Sequence, residues 1–249
     1  MVVAHPDDET IGAGTTLPLF RRLLLVHATD GAPRNGEDAQ AAGFSTGADY
    51  AAARRRELDA ALAAGGVDSE RAGLGAADQG ASLRMAELAR ALAALFERHG
   101  TRAVLTHPYE GGHPDHDAVA FCVSAAASLL ARDGGEAPAV AEMAFYHAGP
   151  GDGWAVGRFL PNGGPPTVVA PTGAERARKR AMLDAFATQA ATLVRFPVGD
   201  EAFRPAPSYD FAAPPHAGTL LYERFPWGMD GALWRRLAAE ARRELALAS

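Results

Sequence analysis

Short apolar runs alternate along the chain with longer Ala-rich amphipathic segments. "VVA" (2–4), "LLLVHAT" (23–29), "AGLGA" (72–76) and "AVLTH" (103–107) read as strands, with a later strand at "AEMAFYHA" (141–148). Between and after them, helices are predicted over Asp8–Phe20, Asp49–Ala64, Ser82–Arg98 and Asp115–Arg132, then near Thr172–Val194 and Asp230–Leu247. Such alternation specifies an α/β fold, a mostly parallel sheet with helices on both faces. The Gly- and Pro-rich stretch 149–171 suggests loops around one or two short strands. No linker and no repeat at a fixed period interrupts the pattern, so residues 1–249 are expected to form a single domain. The first strand is unusually short, either a brief central strand or one whose beginning lies upstream.

Composition narrows the function classes. Nearly half of the 249 residues are apolar, enough for a sizeable core. The net charge of −6 argues against a nucleic-acid binder that relies on phosphate contacts. The single cysteine, Cys122, excludes an intrachain disulfide and a cysteine zinc site, and within "AVAFCVSAAA" it reads as a core residue. No apolar run approaches the ~20 residues of a membrane span, and no secretory signal is visible. A soluble, cytoplasmic protein is expected, with self-association into a homo-oligomer left open.

Two fragments interrupt this ordinary pattern. "AHPDDETIGAG" (4–14) follows the first strand and "EGGHPDHDAV" (110–119) follows the fourth. In open parallel sheets, ligands bind outside the carboxyl ends of the strands, so the topology lets the two fragments converge. His5 and Asp8 are three apart, as are His113 and His116, a spacing that aims both side chains of a pair to one side at a helix start. Two imidazoles and a carboxylate form a set that commonly holds zinc with a position left open for water. Zinc lowers that water's pKa to roughly 7. Asp7 is then free to act as a general base, and Asp115 could orient an imidazole through its other ring nitrogen. Either fragment alone is equally explained by helix capping; the pair is not. "IGAG" does not make a dinucleotide loop, because HPDDE occupies the strand-to-helix turn and Leu17 stands at the third glycine position.

"AHPDDE", then "HATDGAP" (27–33), "RRRELDAALAAGGV" (54–67) and "HPDH" together resemble the PIG-L/LmbE family of zinc-dependent de-N-acetylases, over the first ~130 residues and in order. The resemblance implies a Rossmann-like three-layer sandwich and an activity that removes an acetyl group from an N-acetylglucosamine-like conjugate. It implies zinc, with Fe²⁺ as the alternative ion, held by His5, Asp8 and His116. Asp7 would be the general base. His113, protonated, would stabilise the oxyanion or protonate the leaving amine, with Asp115 supporting a histidine nearby. Asp30, in the Asp30-Gly31 turn, and Arg54 match positions that contact the sugar or support the site. The chain also departs from the family: a later K-x₆-H-x-S-Q segment reads "KRAMLDAFATQ" (179–189) here, with Phe186 for histidine and Thr188 for serine, while Gln189 is retained. A substrate-side histidine is then either absent or supplied by His216 in "PPHAGTL". The first helix-to-strand connection is also shorter than usual.

Other histidines carry plainer expectations. His27 and His147 read as core or edge residues, His99 as a cation at a helix C-terminus, and His107, at the end of the fourth strand, more as a structural residue than as one supporting the site. Tyr109, Trp154, Tyr209 and Trp227 read mainly as packing residues, one or two of which could stack on a sugar ring. The preferred function is an amidohydrolase acting on a small N-acetylated sugar conjugate. Its rivals are a zinc-dependent deacylase or esterase of a non-sugar substrate and a metal-binding protein without turnover. Asp7 speaks against the last, since binding alone needs no adjacent base.

Overall fold

Period-two alternation in the first two strands sends neighbouring side chains into two different cores. The computed structural model describes residues 1–247. In it β1 (Val2–Val3) and β2 (Leu24–Pro33) pair in parallel, Val2 against Val26 and Val3 against His27. Val2 and Val26 face one apolar cluster with Ala28 and Ala76, whereas Val3 and Leu25 face another. A strand buried on both faces is what a helix-covered parallel sheet requires.

β2 also pairs in parallel with β3 (Glu70–Asp78). The other half of the sheet starts with β4 (Ala103–Thr106), parallel to β5 (Ala139–Met143), and β4 lies against β1. The predicted strand 141–148 is split: β5 ends at Met143, and β6 (Tyr146–Ala148) turns into an antiparallel hairpin with β7 (Trp154–Val156). β9 (Glu201–Pro205) pairs antiparallel with β5, and β8 (Thr167–Val169) pairs antiparallel with β9 at the edge. β9 has no counterpart in the sequence reading.

Helices cover both faces, giving the expected α/β layers with a mostly parallel sheet. α1 (Asp8–Ala13) stops earlier than predicted, and a short 3₁₀ turn at Leu17–Leu19 follows, as Pro18 allows. α2 (Glu37–Ala41) is a short addition, and α3 (Gly47–Gly65) starts where the Thr46 hydroxyl accepts the Asp49 N–H. α4 (Met85–His99) and α5 (Pro114–Arg132) match their predicted spans closely. The predicted helix 172–194 is broken: α6 (Gly173–Asp184) begins in a Thr172–Glu175 capping box, and α7 (Ala190–Leu193) follows a 3₁₀ turn at Ala187–Gln189. The break falls at Phe186, which is buried in one cluster with Leu58, Leu62 and Met182. α8 (Gly231–Glu244) packs with α4 and α5 on the opposite face, where Trp234 is fully buried.

The candidate active site and its comparisons

Both unusual fragments begin helices at the carboxyl ends of neighbouring strands, so their polar side chains meet. The backbone turns sharply at Asp7, which precedes α1 with φ 128° and ψ −26°. That is a strained conformation for a side-chain-bearing residue, and it sets Asp7 and Asp8 in different directions. Asp8 points to the histidines: its carboxylate lies 3.3 Å from His5 Nδ1 and 3.4 Å from His116 Nε2. Asp7 points away, its Oδ2 3.1 Å from Arg54 Nη2.

Behind the cluster, carboxylates hold the imidazoles. His5 Nε2 is 3.3 Å from Asp115 Oδ2 and 3.0 Å from Asp78 Oδ1. Asp115 is itself fixed by the backbone N–H groups of Gln79 and Ala81. His107 is fully buried, its Nε2 accepting the Ala4 N–H at 3.1 Å and lying 3.2 Å from Asp8 Oδ2. It stacks on His116 with ring centroids 4.1 Å apart.

His113 and His116 have separate positions because Pro114 starts α5 between them. His113 is the N-cap, and its Nδ1 accepts the Asp115 N–H at 3.1 Å. Nε2 is therefore its N–H donor, and it faces Asp78 Oδ1 at 3.9 Å. Burial, followed by the neighbouring charge of His5, pushes His113 down to about 3. With Nδ1 accepting the Asp115 N–H and burial disfavouring a charge, this geometry favours the neutral imidazole. His116 sits in the first turn of α5 and is also pushed down to about 3, by burial first. Neutral imidazole is the form that ligates a metal.

Arg54 joins α3 to the site. Its guanidinium donates to Gly31 O at 2.8 Å and Pro6 O at 2.6 Å besides Asp7. Gly31 has φ +69°, and a Cβ there would meet the guanidinium at 2.9 Å, so this turn needs glycine. Burial holds the Asp7 carboxyl well above its ordinary range although Arg54 pulls it down. Asp8 is held well below that range by His116, His107 and His5, against the desolvation that would raise it. Arg55 and Arg56 are exposed.

The donor set suits a divalent cation. His5, His113 and His116 offer ligand atoms within 4.8 Å of one another, as do Asp8, His107 and His116. Asp7, Asp8, Asp78 and Asp115 converge on the site against the single guanidinium of Arg54. Two buried ligand-type atoms, His116 Nε2 and Asp78 Oδ1, have no hydrogen-bond partner, although His116 Nε2 lies 3.4 Å from Asp8 and Asp78 Oδ1 lies 3.0 Å from His5. Such atoms are what a cation would satisfy.

Other expected residues lie elsewhere. Asp30 Oδ1 accepts the Ala32 N–H at 3.0 Å and so closes its own turn. His216 is outside the cluster, its Nδ1 bonded to Ala217 O and its ring near His147. Phe186, where the family often has histidine, is core. Thr188 and Gln189 reach α3, bonding Glu57 and the Tyr50 hydroxyl. His27 bonds Glu9. Asp78 was missed; its only signal was an acid at the end of a strand.

Comparison with known proteins gives this arrangement a family. The PIG-L family, described as GlcNAc-PI de-N-acetylase, matches residues 1–127. Among solved structures, the zinc-inhibited form of teicoplanin deacetylase Orf2 superposes with a TM-score of 0.59 at 15% identity, covering 84% of this chain and 99% of that one. N,N'-diacetylchitobiose deacetylase from Pyrococcus horikoshii gives 0.53 at 19% identity, covering 83% and 82%. GalB, the 4-carboxy-2-hydroxymuconate hydratase of Pseudomonas putida KT2440, gives 0.54 at 17% identity, covering 84% and 97%. These likenesses show a shared fold. No curated protein matches the chain. The match over half of its length makes the chain a member of the PIG-L family.

Proposed function

We propose that this PIG-L family chain is a metal-dependent amidohydrolase that removes an acetyl, or another acyl, group from the nitrogen of an N-acetylglucosamine-like substrate. The observation that carries the reading is Asp7. It is a buried carboxylate, turned away from the histidines by a strained backbone and pinned by Arg54, yet adjacent in sequence to a metal-type ligand. A site built only to hold an ion has no use for it. The family match and the deacetylases among the similar structures support the same chemistry.

In this proposal His5, Asp8 and His116 hold the ion, Zn²⁺ or in its place Fe²⁺. Bound there, it would supply Lewis-acid chemistry, acidifying water and polarising an amide carbonyl. The chain's own residues do the rest. Asp7 accepts the proton of the attacking water; its burial makes it a stronger base than a solvated carboxylate. His113, neutral, donates its Nε2–H toward the oxygen on which negative charge develops. When the C–N bond breaks, the proton held on Asp7 goes to the leaving nitrogen, giving acetate and an amine. Asp115, and Asp78 beside it, keep His5 oriented through its Nε2. The whole chain is proposed to act as one unit.

The hydratase among the similar structures favours a second reading, hydrolysis or hydration of a non-sugar substrate. Incubation of zinc-loaded protein with a panel of N-acetylated sugars separates the two. Acetate and free amine in equal amounts are expected. Metal-loaded protein that releases neither from any member would overturn the sugar deacetylase reading.

A further inference from the structure

Asp7, Asp8 and Glu9 are all buried where the chain enters α1, Glu9 completely. Asp8 faces the histidines and Asp7 faces Arg54. Glu9 faces the backbone of Asp7. Its Oε2 accepts the Asp7 N–H at 3.1 Å and lies 3.1 Å from His27 Nε2, while its Oε1 accepts the Thr10 hydroxyl at 2.6 Å. A carboxylate only accepts, so His27 donates from Nε2. His27 stands on β2 opposite Val3, so the sheet holds the imidazole that holds the acid.

The same peptide unit is gripped from its other end. Pro6 O accepts Arg54 Nη2 at 2.6 Å, and that nitrogen also reaches Asp7 Oδ2 at 3.1 Å. The carbonyl of the Pro6–Asp7 peptide is thus bonded to a buried cation and its N–H to a buried acid. The Asp7 backbone, with φ 128° and ψ −26°, needs such a grip, because a strained conformation persists only where its surroundings over-determine it. An aspartate before a helix ordinarily turns its side chain inward to cap the first N–H groups. Asp7 makes no such bond. Glu9 supplies the other half of a capping box, the acid that reaches back to the N–H of the cap, and the Asp7 carboxylate is left to Arg54. An apolar side chain would fill the space around Glu9 with nothing to satisfy. Packing therefore does not explain a fully buried acid with three donors.

We infer that Glu9, oriented by His27, is a positioning residue for the general base: with Arg54 it fixes the Pro6–Asp7 peptide so that the Asp7 carboxylate stays apart from the ion ligands. The assignment rests on the amidohydrolase reading above. Glu9 touches no reacting atom and acts through Asp7 alone.

The test uses the zinc-loaded full chain with Glu9→Gln and Glu9→Met, read by kcat, KM, zinc content and the amide proton resonance of Asp7. Glutamine keeps an oxygen for the Asp7 N–H and for His27, so kcat should stay within about threefold of wild type. Methionine keeps the volume and removes the acceptor. Its kcat should fall about ten- to hundredfold, with KM and zinc content held and the Asp7 amide proton shifted upfield. His27→Phe, the variant to use where Glu9→Met does not fold, should shift the same resonance and lower kcat about three- to tenfold. Zinc lost in parallel with kcat, equal losses in Glu9→Gln and Glu9→Met, or an Asp7 resonance that follows neither Glu9→Met nor His27→Phe would overturn the inference. A wild-type chain that releases no acetate from any N-acetylated sugar would remove the reaction reading instead, and the Asp7 resonance would still decide whether Glu9 holds that peptide.

Discussion

Arg54→Met is the substitution that most directly tests how the site is held. The guanidinium satisfies the Asp7 carboxylate and two backbone carbonyls, those of Gly31 and Pro6, and the side chain is 3% exposed. Methionine keeps the aliphatic stem and loses every donor. Removing one member of a buried ion pair costs about 3–5 kcal/mol, because the remaining charge is left uncompensated. At about 2–4 °C per kcal/mol for a chain of this size, the melting temperature should fall by roughly 6–20 °C. Arg55→Met and Arg56→Met, on the exposed side of the same helix, should stay within about 0.5 kcal/mol of wild type. Thermal unfolding is best followed with chelator present, so that metal binding does not add to the stability of the native state. The double variant Arg54→Met/Asp7→Asn supplies the cycle: with the buried charge gone, it should be more stable than Arg54→Met alone. An Arg54→Met protein that melts within about 2 °C of Arg55→Met would refute the argument that Arg54 anchors the base.

Three further outcomes are expected. Purified protein should hold about one divalent ion per chain, Asp8→Ala and His116→Ala should lose it, and His113→Ala should keep it while losing most of kcat; elemental analysis showing the reverse for the two histidines would mean their roles are exchanged. Asp7→Asn should retain the metal and lose on the order of 10²–10⁴ in turnover, a role contradicted by near wild-type rates. Outside the metal-type ligand set, Glu110 and Glu142 share the one guanidinium of Arg204, and burial pushes both up to about 7. A carboxyl raised in the folded state stabilises below its unfolded pKa and loses that contribution as pH rises through its folded value. The protein should therefore lose about 3 kcal/mol between pH 4.5 and 8 from each of the two carboxyls, and Glu142→Gln should flatten the slope; an unchanged slope in melting scans across that range would remove the pair as its source.

What the sequence made legible follows from which constraints are local. β2 and α5 were readable because their burial on both faces, or along most of a helix, leaves near-continuous apolar runs. "HPDDE" and "HPDH" were readable because polar residues there contradict that pattern. β9 was not, since "EAFRP" is a short strand between β5 and β8 whose Glu201 and Arg204 are buried by partners distant in sequence, Lys179 for one and Glu110 with Glu142 for the other. The break at Phe186 was hidden for the same reason. Its side chain is apolar at a position that suits a helix, and only the cluster beneath it dictates that the chain leave α6 there.

The candidate site shows the same division within single residues. That His113 and His116 differ could be expected from Pro114, which a helix accepts only in its first turn. Which proton His113 carries could not, because that depends on where the Asp115 N–H points once the cap has formed. A histidine that accepts with Nδ1 has spent its lone pair on the backbone, and it can only donate from Nε2. The geometry thereby favours a hydrogen-bond donor without a charge, which in the proposed reaction would serve a developing oxyanion and leave the proton of the attacking water to Asp7. Asp78 completes the reasoning. Standing 3.0 Å from His5 and 3.9 Å from His113, it faces the ring nitrogens that the two fragments turn toward each other, and nothing in "AADQG" marks it until β3 brings its end beside them.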